Sequence, residues 1–147
     1  MPESKILVTG GAGYIGSHVV RLLSAAEKPV VVLDNLSTGF SKAVMGAELI
    51  VGDTGDRDLV TALLAEHKVD TVLHFAAHTI VPESVENPLK YYCNNTCCTR
   101  NLLECCSGAG VKYFVFSSTA AVYGIPQDSI CTEDSPLAPI NPYGTSK

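Results

Sequence analysis

Tyr143 and Lys147 stand four residues apart in the run Tyr143-Gly144-Thr145-Ser146-Lys147. On a helix, that spacing puts a phenol and an ammonium on one face. A free phenol has a pKa of about 10 and is a poor base near neutral pH. A neighbouring cation stabilises the phenolate, so such a tyrosine can take a proton from a substrate hydroxyl. Two surface residues would show the same spacing, and the pattern gains weight only from its company. That company is the run Phe116-Ser117-Ser118-Thr119-Ala120-Ala121-Val122-Tyr123-Gly124, in which hydroxyls follow an apolar strand. Open α/β sheets bind ligands at the carboxyl ends of their strands. Thr119 is placed there to hydrogen-bond a reacting oxygen and help pass its proton.

A third stretch, Thr9-Gly10-Gly11-Ala12-Gly13-Tyr14-Ile15-Gly16, lies between a strand-like run and a helical pattern. This is the context in which a glycine turn binds phosphate. Gly10 permits the tight turn, Gly13 leaves room for a pyrophosphate, and Gly16 allows close helix packing. Free amides and the positive end of the helix dipole would hold the anion. Asp34 lies 18 residues beyond Gly16, where an acid accepts hydrogen bonds from ribose hydroxyls. It would repel a 2′-phosphate, and no arginine follows in Asn35-Leu36-Ser37, so NAD is favoured over NADP. The positive nicotinamide of NAD would then help Lys147 to stabilise the phenolate. Hydride would leave the substrate as Tyr143 takes the proton.

These residues need a frame. Lys5-Ile6-Leu7-Val8-Thr9 and Val30-Val31-Val32-Leu33 read as short buried strands, and Glu48-Leu49-Ile50-Val51 as a third short strand. Residues 69–75 and 111–117 read as a fourth and a fifth. Ile15, Val19, Leu22, Leu23 and Ala26 recur at helical spacing, with Pro29 ending that helix. Asn35 to Gly46 reads as loop with at most a short helix. Leu59, Val60, Leu63 and Leu64 form a second helical stripe. A long helix is expected from about Asn87 to Ser107, with Leu89, Tyr92, Cys93, Thr96, Cys97 and Leu103 on its apolar face. Gly108 and Gly110 stop it. Alternating strands and helices predict a Rossmann-type α/β fold, a doubly wound parallel sheet with helices on both faces.

Bulk composition narrows the partners. The chain has 147 residues, enough for one domain with a core. It carries a formal net charge of −5 with only 10 Lys+Arg, which lacks the basic footprint nucleic acid requires. No apolar run approaches the ~20 residues needed to span a bilayer. Met1-Pro2-Glu3-Ser4 leads straight into the first strand without the parts of a secretory signal, so a cytoplasmic protein is the default. Five of the six cysteines fall in the long helix. Adjacent helical pairs point about 100° apart and do not readily converge on one ion. His18, His67, His74 and His78 show no ligand spacing with them, and no metal is expected. Asn141-Pro142-Tyr143 reads as a helix start with Asn at the N-cap and Pro at N1. The chain stops about one turn later, and a helix that short cannot hold itself. The expectation is residues 1–147 as one incomplete dinucleotide-binding domain of a longer protein, its substrate lobe absent.

With these motifs together, the chain resembles the extended short-chain dehydrogenase/reductase family, in its nucleotide-sugar epimerase branch. The resemblance rests on TGGAGYIGSH (Thr9 to His18), LDNL (Leu33 to Leu36), Gly52-Asp53 and HFAA (His74 to Ala77). It continues through ESVENPLKYYCNN (Glu83 to Asn95), FSSTAAVYG (Phe116 to Gly124) and PYGTSK (Pro142 to Lys147). It implies that Tyr14 and Ile15 line the pyrophosphate, with Asp34, Asn35, Leu36, Ser37, Thr38 and Gly39 at the adenosine ribose. Asp53 and Thr54 would sit by the adenine. Phe75, Ala76, Ala77, His78, Thr79, Asn94 and Ser117 would contact the rest of NAD. Thr119, Tyr143 and Lys147 would be the catalytic trio, with Tyr143 and Lys147 also touching NAD.

The resemblance further implies a nucleotide-sugar substrate of the UDP-galactose/UDP-glucose kind, epimerised through a 4-keto sugar with NAD retained. It also implies a homodimer through the helix from Asn87 to Ser107, and little turnover by this piece alone. Many members carry Ser at Thr119, which keeps the hydroxyl, and Lys at Thr79, which contacts the cofactor. A dehydratase needs an acid beside the hydroxyl residue, and here Ala120 and Ala121 follow Thr119. An epimerase of a UDP-N-acetylhexosamine or UDP-uronate stays open, as does a non-catalytic NAD-binding module.

Overall fold

The computed structural model describes residues 4–126 and 130–147; Met1-Pro2-Glu3 of the N-terminal reading lies outside them. One compact unit comprises the chain up to Ala77 together with Cys98–Ser117. Its strands are β1 (Ile6–Thr9), β2 (Val30–Asp34), β3 (Glu48–Val51), β4 (Thr71–His74) and β5 (Tyr113–Phe116). They form one parallel sheet in the order β3-β2-β1-β4-β5. The order reverses at β1, between β2 and β4, and ligands of such sheets bind beyond the carboxyl ends at that switch. The chain leaving β1 is the glycine turn, and the chain leaving β4 is Phe75-Ala76-Ala77.

Side chains alternate across a strand with period two, so each face needs its own cover. Leu7, Val31, Leu33 and Val72 pack against Val60, Leu63 and Leu64 of α2 (Arg57–Glu66) and Leu102, Cys105 and Cys106 of α5 (Cys98–Ala109). Val8, Val30 and Val32 pack against Val20 of α1 (Tyr14–Ala25). The expected Rossmann-type sheet with helices on both faces is therefore the observed one. All five residues of β2 are buried, and each such Val or Leu contributes about 1.5–3 kcal/mol of burial free energy. At β5 the alternate positions Tyr113 and Val115 are 64% and 54% exposed.

Several boundaries differ from the sequence reading. β4 and β5 are shorter than residues 69–75 and 111–117. α1 stops at Ala25 and reverses through Glu27 at φ 55, ahead of Pro29. The loop after β2 agrees with its reading and holds one short helix, the 3-10 turn Ser41–Ala43.

The second unit comprises His78–Cys97 and Ser118–Lys147. It contains α3 (Val81–Glu86), α4 (Pro88–Tyr91), a π-helical turn (Tyr92–Cys97), a 3-10 turn (Ala120–Tyr123) and α6 (Pro142–Ser146). α3 was not expected. The single helix read from Asn87 to Ser107 is α4, the π turn and α5 in succession. Its expected apolar face is wrong. Leu89 is 76% exposed and Leu103 45%, and Cys93, Thr96 and Cys97 are also exposed. The buried positions are Tyr91, Asn95, Leu102, Cys105 and Cys106. Both sets recur at helical spacing, and apolarity could not choose between them because the buried set includes an asparagine.

No described helix is long and apolar enough to cross a membrane. Among the described residues, no group of three or more His, Cys, Asp or Glu is placed to hold a metal ion.

The glycine turn tests the packing. A Cβ on Gly16 would lie 2.2 Å from the Gly10 carbonyl oxygen, whereas one on Gly108 in α5 meets nothing within 4 Å. Gly16→Ala should therefore destabilise the fold by about 1–3 kcal/mol through overpacking. Gly108→Ala should stabilise it by up to about 1 kcal/mol through helix propensity. Urea unfolding of the two variants measures the contrast, and equal effects would contradict this account of the turn.

Candidate dinucleotide and acid–base sites

In the first unit the site is built from the end of β1. Gly10 adopts φ +69, and a Cβ there would stand 2.6 Å from the Ala76 amide nitrogen. The turn is thus pressed against the chain leaving β4, and a side chain would separate them. Gly13 is the extended N-cap of α1, and no side chain caps that helix or places an acid in its first turn. The first amides of an uncapped helix have no intrahelical partner and are donors for an anion. A Cβ on Gly13 would meet only the Gly10 oxygen, at 3.3 Å, so the backbone lies open for close approach. Tyr14 and Ile15 are 83% and 57% exposed.

Asp34, at the end of β2, is 8% exposed. Its Oδ2 accepts the Ala12 amide at 2.9 Å and its Oδ1 accepts the Leu36 amide at 2.8 Å. Each oxygen keeps a second acceptor position. The carboxylate therefore shapes the turn and still has capacity for hydroxyl donors. The Asn35 amide donates to Asp53 at 2.9 Å and its oxygen accepts the Ser37 amide at 3.0 Å. Thr38 is exposed, and Gly39 packs so closely that a Cβ would stand 2.7 Å from the Ala12 carbonyl carbon. Leu36 to Gly39 is thus stitched to the glycine turn.

Asp53 also accepts the Gly55 amide at 2.8 Å, and the buried Thr54 carbonyl accepts the Asn101 side chain at 2.7 Å. Phe75 donates its amide to Thr9 at 3.0 Å, and Ser117 donates to His74 at 3.1 Å. Ala76 and Ala77 are half-buried.

Two residues here were not singled out by the sequence reading. Asn101 lies on α5 with no motif around it. His74 lay inside HFAA but was given no role. Its ring is buried, with Nδ1 2.6 Å from Thr9 Oγ1 and Nε2 2.8 Å from Thr99 Oγ1. It ties the end of β1 to α5.

In the second unit, Thr119 is the N-cap of the 3-10 turn, its hydroxyl accepting the Ala121 amide at 3.2 Å. The hydroxyl proton remains available to donate. The strand-end hydroxyl expected here is in fact the cap of a short turn. α6 is capped by Asn141, which accepts the Gly144 amide at 2.8 Å. A Cβ on Gly144 would lie 2.7 Å from the Ala121 oxygen, so glycine lets α6 press on the turn that Thr119 begins. The turn that Thr119 begins thereby lies against α6, the helix that carries Tyr143. Burial pushes the Lys147 ammonium down to about 8.

Asn95 is the residue the sequence reading missed here. It is 2% exposed and sits in the π turn. Its oxygen accepts the His78 amide at 2.8 Å and Asn94 Nδ2 at 3.0 Å. Its Nδ2 donates to the His78 carbonyl at 3.0 Å and to Ser146 Oγ at 2.9 Å. Asn94 is half-buried and Thr79 exposed. The doublet Asn94-Asn95 was visible, but helical periodicity gives no warning of a π turn, and π turns frequently mark functional sites.

Residues 6–147 match the family model described as the NAD dependent epimerase/dehydratase family. A UDP-glucose 4-epimerase of Lactobacillus helveticus is 55% identical over 144 residues, covering 97% of this chain and 44% of that protein. The UDP-Glc/GlcNAc 4-epimerase structure from Campylobacter jejuni superposes with a TM-score of 0.94 at 50% identity, covering 99% of this chain and 46% of that one. The Brucella ovis UDP-glucose 4-epimerase, solved in complex with NAD, gives 0.95 at 41% identity, covering 98% and 44%. This chain therefore spans less than half the length of these relatives. A parallel sheet of this strand order, an uncapped glycine turn and a match running almost from end to end lead to one conclusion: the chain belongs to the NAD dependent epimerase/dehydratase family.

Proposed function

We propose that this chain is the NAD-binding part of a UDP-glucose 4-epimerase, which interconverts UDP-galactose and UDP-glucose through a transient 4-keto sugar. The observation that carries the reading is Tyr143 on α6 with Lys147 at its C-cap, in a chain that also builds an uncapped glycine turn with Asp34 beneath it. A non-catalytic NAD-binding module would need the turn and not the pair. A dehydratase would need an acid after Thr119, where Ala120 and Ala121 form the 3-10 turn.

The residues present fit NAD. The open backbone at Gly13 and the uncapped amides of α1 suit its pyrophosphate, and the spare acceptor positions of Asp34 suit a ribose. When bound, NAD supplies a hydride acceptor and donor. Tyr143 takes the proton of the C4 hydroxyl and later returns it. Thr119 donates a hydrogen bond to the same oxygen. Lys147, while charged, stabilises the phenolate.

The neighbour named for UDP-Glc and UDP-GlcNAc supports a second substrate reading, a UDP-N-acetylhexosamine. The outward Leu89, Cys93 and Cys97 suit the homodimer that the resemblance implies. Six cysteines with no disulfide among the described residues suit a reducing cytoplasm.

Calorimetric titration tests the cofactor half. NAD should bind at least tenfold more tightly than NADP, and Asp34→Asn should weaken NAD binding about tenfold, ~1.4 kcal/mol. Equal binding of the two dinucleotides would reject the assignment of Asp34. Thr79→Lys should tighten NAD binding several-fold, by restoring the lysine many members carry; an unchanged Kd would remove Thr79 from the cofactor site.

The acid–base half is tested on the intact protein with UDP-galactose, and with UDP-N-acetylgalactosamine for the second substrate. Tyr143→Phe should lower kcat by about 10²–10⁴-fold. Lys147 is protonated below about pH 8 and neutral above it. Its support of the phenolate is therefore present at low pH and fades as pH rises through 8. The rate ratio of the unaltered protein to Lys147→Met should fall across that window, and a ratio independent of pH would contradict the role.

A further inference from the structure

We propose that Ser84 and Tyr91 are positioning residues for Tyr143, together forming a seat that fixes its backbone and its ring. The inference rests on the reading of Tyr143 as the acid–base group, and all the residues concerned lie in the second unit.

The backbone arm is Ser84. Tyr143 is in the first turn of α6, where helix amides have no partner within the helix. Asn141 serves the Gly144 amide, but not that of Tyr143. The Tyr143 amide donates instead to Ser84 Oγ at 3.1 Å. Ser84 is 0% exposed, and its own hydroxyl proton goes to the Val81 carbonyl at 2.6 Å. With its proton so committed, Ser84 presents a lone pair to Tyr143 in a fixed direction.

The ring arm is Tyr91, the last residue of α4 and 0% exposed. Its ring meets that of Tyr143 edge-on, with centroids 6.4 Å apart at 84°. Edge-to-face contact is a preferred aromatic geometry and restrains the rotation of both rings. Tyr91 is itself locked at the far end. Its hydroxyl accepts the Ile80 amide at 3.0 Å and has two acceptors for its single proton, Glu83 Oε2 and the Ile80 carbonyl, each at 2.8 Å.

Glu83 is in turn paired with Lys90, which with the Tyr91 hydroxyl holds its carboxyl below the usual range. The charge of Glu83 is thus answered inside the seat. Burial, first, and then Glu83 push the Tyr91 phenol up to about 12, so it stays neutral and does not compete with Tyr143 as a base. The other titratable groups of these elements are His78, whose ring lies 5.6 Å from that of Tyr91, and Lys147 at the C-cap of α6. A reacting oxygen displaced by about 1 Å loses on the order of 10²-fold in rate. Two restraints on one tyrosine are therefore worth having.

The test uses the protein labelled with ¹³C at tyrosine Cζ, with NAD at saturation, and Tyr143→Phe to assign the signal. In Ser84→Ala, amide exchange at Tyr143 should quicken at least tenfold while that of Gly144 changes less than threefold. In both Ser84→Ala and Tyr91→Phe, the Tyr143 phenol should titrate at least half a pH unit from its original midpoint. Ser84→Thr, which keeps the hydroxyl, should restore both readouts. Unchanged exchange and midpoint in Ser84→Ala and Tyr91→Phe would overturn the seat. Faster exchange with an unmoved midpoint would make Ser84 a helix tie only and overturn the positioning role. A midpoint at the free-phenol value of about 10 in the unaltered protein would sink the acid–base reading of Tyr143. Amide exchange would then judge the seat alone. Should Ser84→Ala fail to fold, Tyr91→Phe decides on the midpoint.

Discussion

One carboxylate organises the dinucleotide half of this chain. Asp34 is almost fully buried, and a buried charge left without hydrogen bonds costs several kcal/mol. It is satisfied by two amides from opposite directions, Ala12 in the glycine turn and Leu36 in the loop after β2. The Ala12 bond depends on β1 and β2 being adjacent and in register, Thr9 opposite Leu33, whereas the Leu36 bond is a local turn two residues on. The sheet thus places the carboxylate, and the carboxylate in turn sets both loops. Gly39 and Phe40 close the arrangement by returning to Ala12. The acid proposed to read a ribose is first of all the tie that gives the phosphate turn its shape.

This dual use explains why so much of the first unit was legible in the sequence. β-branched runs such as β1 and β2 leave few alternatives to a buried parallel strand, and β3, the partly exposed edge strand, was read at its observed limits. Glycines at Gly10 and Gly16 were assigned to a tight turn and to close packing, and each fills a space where a Cβ would collide. What was not legible were contacts between residues distant in sequence and free of motif. The Asn101 bond to Thr54 spans 47 positions, and the His74 bond to Thr9 spans 65. No local period announces either.

The second unit was harder to read for a different reason. It has no strand among its described residues, and its helices are short. α3 has six residues, α4 four and α6 five. Helices of such length have little intrinsic stability and are held by tertiary contacts. Their sequence signals are caps rather than periods, and the cap read at Asn141-Pro142 is observed, beside those of Asn87 and Thr119. The π turn then inverted the expected burial of the long helix. It turns inward an asparagine that fills all four of its hydrogen-bonding positions. A fully satisfied buried amide of this kind specifies one arrangement of its partners, because any slip would leave polar groups unpaired.

The Tyr143–Lys147 pair shows how burial alters a reading made from spacing alone. Spacing says that a cation lies near the phenol and favours its ionisation. Burial says that the cation is itself costly and titrates lower than a free lysine. The two effects do not cancel. Reduced screening raises the energy of an isolated ammonium and strengthens its attraction to a phenolate by the same cause. In the proposed acid–base role, a phenolate is the partner charge that a partly buried ammonium lacks when alone. Partial burial of Lys147 at the end of α6 thus makes its charge depend on a partner, and the proposed phenolate would be that partner.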